Sequence, residues 1–372
     1  MGEQRLEEIL SRRLVEVERL IAQHSDLTDR KSLQMQIDEI RNPHMHDEYY
    51  AQELQQFLTM RDNGKFDEAI AGFQKLITFS PQRWEGWHEL GCAYYWKVMK
   101  TWDSMNESER EITAVKALQA YQVAQFLNPK NMWTLHDQGN VYLNILNRPD
   151  IAEKIYKESI QRWPRGSKNE RTAAKWFYHD LGSALHRQGK IDEAIEQYHF
   201  AFTIPKDGER DKELCWTHHG LSSCYGKKGD IGNMCRHMQL AIELGLDKLK
   251  VLIDSTHSLL DYGNSIYRDK DESKKEEQIK VFRNLDQLFS EIEELGHSDH
   301  STFHHHGDAN LRLAWITNDK QYARKAITLY NQARKFWADY YWTNANLSAA
   351  YGIVGDEANR QKFVRLAKTS KK

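Results

Sequence analysis

The chain has 372 residues, 40% hydrophobic, 28% charged and 11% aromatic, and its 52 basic and 54 acidic side chains leave a formal charge of −2. That is a globular composition rather than a disordered one, and the near-neutral balance argues against a strongly basic nucleic-acid binder. Six prolines and 20 glycines exclude collagen-like chains and supply few of the breakers an all-β protein needs, so long helices become the default. In chain order, the opening MGEQRLEEILSRRLVEVERL is too charged for a signal peptide, and no later stretch approaches the roughly 20 apolar residues of a membrane span. A cytoplasmic protein with no membrane role is the expectation. Leu6, Ile9, Leu10, Leu14, Val17, Leu20 and Ile21 follow helical spacing, and after Ser25–Asp29 a second helix runs through Leu33, Ile37 and Ile40 to Asn42 and Pro43. Residues 1–48 therefore predict a helical N-terminal cap or arm, with 1–41 available for self-association. Glu3, Glu7, Glu8, Glu16 and Glu18 argue against a helix lying on an anionic membrane surface.

Self-similarity begins next. Gly64-Lys65-Phe66-Asp67-Glu68-Ala69-Ile70, followed by Phe73, Leu76 and Pro81, recurs as Gly189-Lys190-Ile191-Asp192-Glu193-Ala194-Ile195, followed by Tyr198, Ala201 and Pro205. A second pattern precedes such helices: Trp87-His88-Glu89-Leu90-Gly91 with Tyr94, Leu135-His136-Asp137-Gln138-Gly139 with Tyr142, and Tyr178-His179-Asp180-Leu181-Gly182 with Leu185. Together they write a helix–turn–helix unit whose glycines and alanines (Ala69, Ala117, Ala194) allow close helix approach. Pro81, Pro129, Pro164 and Pro205 stand where a second helix must stop.

These residues resemble the tetratricopeptide repeat, a unit of about 34 residues. The resemblance implies an all-α, right-handed α-solenoid of helix–turn–helix repeats with an N-terminal helical cap. Five repeats are predicted over 49–248, near 50–83, 84–131 (with an insertion around 96–116 that lengthens its helices), 132–165, 175–206 and 215–248. A divergent long helix pair follows over 249–296, its second helix carrying Val281, Phe282, Leu285, Leu288, Phe289 and Ile292 at helical spacing. Two degenerate hairpins and a basic tail fill 297–372.

In tetratricopeptide proteins the first helices line the concave, ligand-binding side through positions 2, 5, 9, 12 and 13. Carried onto this chain, position 5 is His88, His136, His179, His219 and His304, and position 2 is Trp133, Trp176 and Trp216. Asn140 falls at position 9, and Arg187, Lys227 and Arg312 at position 13. The resemblance thus implies an aromatic, basic and hydrogen-bonding groove for a peptide segment or partner protein of acidic character. Cationic histidines on such a ligand would tighten binding below pH about 6.5. His136 with Asn140 is similar to half of the family's carboxylate clamp; the pairs His88/Cys92, His179/Ser183 and His219/Ser223 depart from it.

Catalytic signals are absent from the sequence: no GxGxxG, GxxxxGK[ST] or GxSxG occurs, and no cofactor is implied. A non-catalytic adaptor is the expectation. The alternative is a metal-binding regulatory or catalytic protein, using either the His-rich segment 297–308 or the repeat holding Cys215, His218, His219, Cys224, Cys235 and His237. In the first, His300 and His304 share a helix face while a helix starting near Ser301 scatters His305 and His306. In the second, the cysteine spacings match no zinc knuckle, which favours buried, reduced thiols for all of them and for Cys92. Nucleic acid stacked on Arg162-Trp163-Pro164-Arg165 and Lys175-Trp176 ranks third, because comparable acidic density surrounds them.

Overall fold

Proline, asparagine and aspartate mark helix starts along this chain. Pro43 and Pro149 each open a helix, where the missing N–H has no intrahelical partner to lose. Asn106, Asn131, Asp230, Asp299, Asp319 and Asp356 cap others, each side-chain oxygen accepting from a backbone N–H of the first turn. In the computed structural model, which describes residues 43–162, 168–204, 214–268 and 272–370, these signals delimit sixteen α-helices and no strand among the described residues. Of the N-terminal cap or arm read at 1–48, residues 1–42 lie outside the described residues, as do Pro164, Pro205 and Trp163, while 43–48 open the first described helix. No helix among the described residues is long and apolar enough to cross a membrane.

The chain divides into two compact units, Met1–Arg165 and Gly166–Lys372. In the first, α1 (Pro43–Asp62), α2 (Phe66–Phe79), α3 (Trp84–Lys100), α4 (Glu107–Leu127), α5 (Met132–Asn144) and α6 (Pro149–Arg162) pack each on its predecessor. The first helix α3 also touches both α1 and α5. Tyr50, Phe57, Phe73, Leu76 and Leu90 form the core of the first hairpin and its junction; Val98, Ala114, Ala117, Tyr121 and Val141 form that of the next. The insertion read at 96–116 lengthens both helices of the second pair around a short 3-10 turn, Trp102–Ser104.

The second unit holds α7 (Lys168–Arg187), α8 (Ile191–Thr203), α9 (Leu214–Lys228), α10 (Ile231–Glu243), α11 (Lys248–Arg268), α12 (Lys275–Glu294), α13 (His300–Thr317), α14 (Lys320–Phe336), α15 (Tyr341–Val354) and α16 (Glu357–Thr369). The long α11 lies chiefly against α9 rather than α10. The apolar stripe of α12 is buried throughout, with Phe282, Leu285 and Phe289 against Leu252, Leu259 and Leu313. Within each unit the helices form an all-α array of helical hairpins.

One contact recurs in both units and explains the pattern of glycines. A Cβ at Gly139 would stand 2.4 Å from the ring of Tyr156, so α5 and α6 meet at a distance only glycine allows. Tyr121, Tyr198 and Tyr330 lie in the same way over Gly91, Gly182 and Gly307, and all four tyrosines are fully buried.

Candidate functional site

The tyrosine that covers each glycine also organises the positions read as groove residues. Its hydroxyl donates to Asn140 Oδ1 (2.7 Å, from Tyr156) and to Asp308 Oδ1 (2.6 Å, from Tyr330). It donates more weakly to Cys92 Sγ from Tyr121 at 3.4 Å, and Tyr198 shares a 3.1 Å bond with Ser183 Oγ. Position 9 of the repeat is thus the partner of a buried phenol, which must be satisfied once it leaves water. Asn140, expected as half of a clamp, has its carbonyl oxygen committed in this way.

The position-5 histidines sit on the same tyrosines. His88, His136, His179 and His304 tilt over Tyr121, Tyr156, Tyr198 and Tyr330 with ring centroids 5.5–5.8 Å apart. Three of them reach the next first helix: Nδ1 of His88, His179 and His304 lies 3.2, 3.3 and 2.9 Å from Thr134, Thr217 and Thr343 Oγ1. His136 and His304 are only 5% and 6% exposed. These imidazoles are therefore part of the joint between neighbouring repeats. His219 differs, with Nε2 3.1 Å from Asp254 Oδ2 on α11 but off the hydrogen-bond line.

The tryptophans face outward instead. Trp133 is 41% exposed and Trp216 38%, and Trp176 is half-buried. Each stands edge-on to the histidine three residues later, at 5.4 Å to His136, 5.8 Å to His179 and 6.1 Å to His219. Arg187 is exposed and Lys227 half-buried. Both lie near His186, whose pKa falls to about 4 through burial first and then the adjacent Lys227, Arg187 and His219. Arg312 is turned inward, 3.5 Å from Asp308 and over the rings of Tyr267 and Phe282. It is therefore neutralised within the chain.

Cationic groove histidines fail at His304, whose pKa burial lowers although Asp308 opposes the shift. His300 moves the same way through burial and then His304. The His-rich segment opens α13 at His300 with Asp299 as its cap, and the rings of His300 and His304 stack at 5.6 Å. His304, His305 and Asp308 bring ligand atoms within 4.8 Å of one another. Asp308 is already taken by Tyr330, by Asn346 at 2.8 Å and by the Arg312 guanidinium, which would repel a metal ion. In the Cys/His-rich repeat, His218 and His237 meet Nδ1 to Nδ1 at 2.8 Å, and no three of its ligands converge.

Sequence reasoning missed the threonines Thr134, Thr217 and Thr343. Their recurrence one residue after Trp133, Trp216 and Trp342 was the available signal.

No protein-family model matches the sequence, and no curated protein matches it. Among solved structures, the chain is similar to Pseudomonas aeruginosa PilF, at 13% identity over 66% of this chain and 93% of that one, with a TM-score of 0.45. It is also similar to a tetratricopeptide-repeat protein of Cytophaga hutchinsonii, at 15% identity, 71% and 95% coverage and a TM-score of 0.46. A third similarity is to YrrB, described as a tetratricopeptide protein with an unusual peptide-binding site, at 16% identity, 54% and 88% coverage and a TM-score of 0.37.

Proposed function

We propose that this chain is a non-catalytic adaptor that binds a peptide segment or partner protein on the first-helix face of its repeats. The supporting observation is in the second unit. There, Trp216 is exposed on α9, Trp176 lies on the adjacent α7, and Arg187 of α7 and Lys227 of α9 both act on His186. Indoles and, about 16 Å further along the same helices, cations suit an extended segment with acidic side chains: the indoles supply apolar area and the cations supply steering and register. Asp180 lies on α7 and Asp254 on α11, which packs on α9, so the partner would present its acids in register with Arg187 and Lys227 rather than along its whole length.

The partner-binding set is accordingly weighted towards Trp216, Trp176, Arg187 and Lys227, with Trp133 the corresponding residue of the first unit. His88, His136, His179, His219, His304, Asn140 and Arg312 would act by holding the repeats that present them. The test is a titration of full-length chain against captured partners and arrays of peptides of varied charge, comparing wild type with Trp216→Ala and Lys227→Glu. Each substitution should weaken binding about tenfold or more at unchanged melting temperature, with the Lys227 effect shrinking in high salt. Unchanged affinity in both variants would sink this reading.

A further inference from the structure

Where α3 and α5 of the first unit pass each other, three metal-ligand atoms of three kinds form a nearly equilateral triangle. His88 Nε2 is 3.6 Å from Cys92 Sγ and 3.6 Å from Asp137 Oδ2, and Cys92 Sγ is 3.7 Å from the same oxygen. The nitrogen–oxygen separation is too long for a hydrogen bond, which spans about 2.7–3.2 Å. It is close to a coordination edge: tetrahedral zinc, at about 2.0–2.2 Å from nitrogen and oxygen and 2.3 Å from sulfur, sets its donors about 3.3–3.6 Å apart. His88 and Cys92 are four apart on α3 and so share a face, and Asp137 is delivered by α5.

Each donor is also held from behind. His88 Nδ1 faces Thr134 Oγ1 at 3.2 Å, so a proton there turns the Nε2 lone pair into the triangle. His136 Nδ1 lies 3.1 Å from Asp137 Oδ1, the oxygen that points away. The Tyr121 hydroxyl donates to Cys92 Sγ at 3.4 Å. Such outer contacts orient ligands in built metal sites. Charge favours a dication as well. Glu89, 4.0 Å from His88 Nε2, is paired with Arg61, whereas Asp137 faces no cationic Lys or Arg across a salt bridge among the described residues.

We propose that His88, Cys92 and Asp137 bind one divalent transition metal ion, zinc by the nature of the donor set, which pins the first helices of two neighbouring repeats together. Binding replaces the Cys92 S–H bond with a sulfur–metal bond and releases that proton to solvent; the thiolate and carboxylate then balance the dication. The proposal is independent of the adaptor reading, since it uses none of the four residues weighted there. It differs from the His304/His305/Asp308 group in having no guanidinium on its carboxylate.

The test uses full-length chain purified without a metal column, stripped with chelator and titrated with Co2+ and then Zn2+. Wild type should develop a near-ultraviolet thiolate-to-cobalt absorption that saturates at one equivalent, and zinc should displace it. Cys92→Ser should abolish the band, Cys235→Ser should keep it, and Asp137→Asn should weaken metal affinity by more than tenfold. His136→Ala, an outer-shell change, should weaken it about 10–100-fold with the band retained. Should Cys92→Ser fold poorly, Asp137→Asn decides, because the amide keeps the shape and loses only the anionic ligand. Absence of a thiolate band in wild type, or equal metal affinity in wild type and Asp137→Asn, would overturn the site.

Discussion

His305 and His306 are adjacent in sequence, and the groups facing them push them in opposite directions. Burial first, then His304, His257 and Arg312, take His305 to about 4 against the pull of Asp308, so it is neutral at neutral pH. His306 is 1% exposed, yet it is bracketed by Glu293 Oε1 at 2.5 Å on Nδ1 and Asp286 Oδ1 at 2.8 Å on Nε2. Carboxylates only accept, so both ring nitrogens must donate and the imidazole is a cation. Burial opposes that charge, but the bonds to Asp286 and Glu293 outweigh it and raise the pKa. Asp286, which also accepts from Asn310 and Lys325 at 2.6 Å, is held below the usual carboxylate range against its own burial. The sign follows from linkage. The raised histidine contributes stability that is fully present below its unfolded pKa of about 6.5 and is lost as pH rises through the folded value. The depressed aspartate contributes above about 3.9 and is lost as pH falls. Melting of the second unit should therefore weaken as pH rises above about 6.5 in wild type, whereas His306→Gln should melt lower at pH 6 and show a flatter dependence. Parallel curves for the two proteins would remove the ion-pair account.

At the scale of the element, the glycine under each tyrosine sets how closely a hairpin can close. Gly139→Ala places a methyl group 2.4 Å from a fully buried Tyr156 ring that has no room to retreat. Overpacking costs about 1–3 kcal/mol and the gain in helix propensity returns roughly 0.5–1, so a net loss is expected. Gly232 on α10 is the contrast, since an added Cβ there would meet only Asp230 Oδ1 at 3.7 Å. Gly232→Ala should be neutral or stabilising by up to about 1 kcal/mol. Chemical denaturation of both variants checks the pair: equal effects would mean that backbone entropy, not the tyrosine contact, governs these positions.

For the whole molecule, the relevant fact is the division into two compact units, each with its own buried clusters. Repeat arrays hold together through nearest-neighbour interfaces, so a local loss need not spread. Hydrogen exchange on Gly139→Ala should accelerate at α3 to α6 and leave α11 to α14 as protected as in wild type. Acceleration at α12 and α13 would show instead that the two units unfold as one.

The sequence by itself determined that the chain is helical and that its helices pair, because proline and recurring glycine act within a few residues of themselves. It also determined that Leu285 and Phe289 are core, since helical periodicity places side chains without reference to the rest of the fold, whereas the register of Trp133 and Trp216 came from the family resemblance. Only the tertiary structure decided what that register means. His136, His304 and Asn140 occupy positions that line a groove in the family this chain resembles, yet here they meet a tyrosine from the second helix, and three of the five histidines meet a threonine from the next repeat. Neither partner is a local neighbour, so spacing carried no information about them. The same reason hid the meeting of Cys92 with Asp137, 45 residues apart: charge state, burial and ligand geometry depend on distances between helices, and those are set by packing rather than by period.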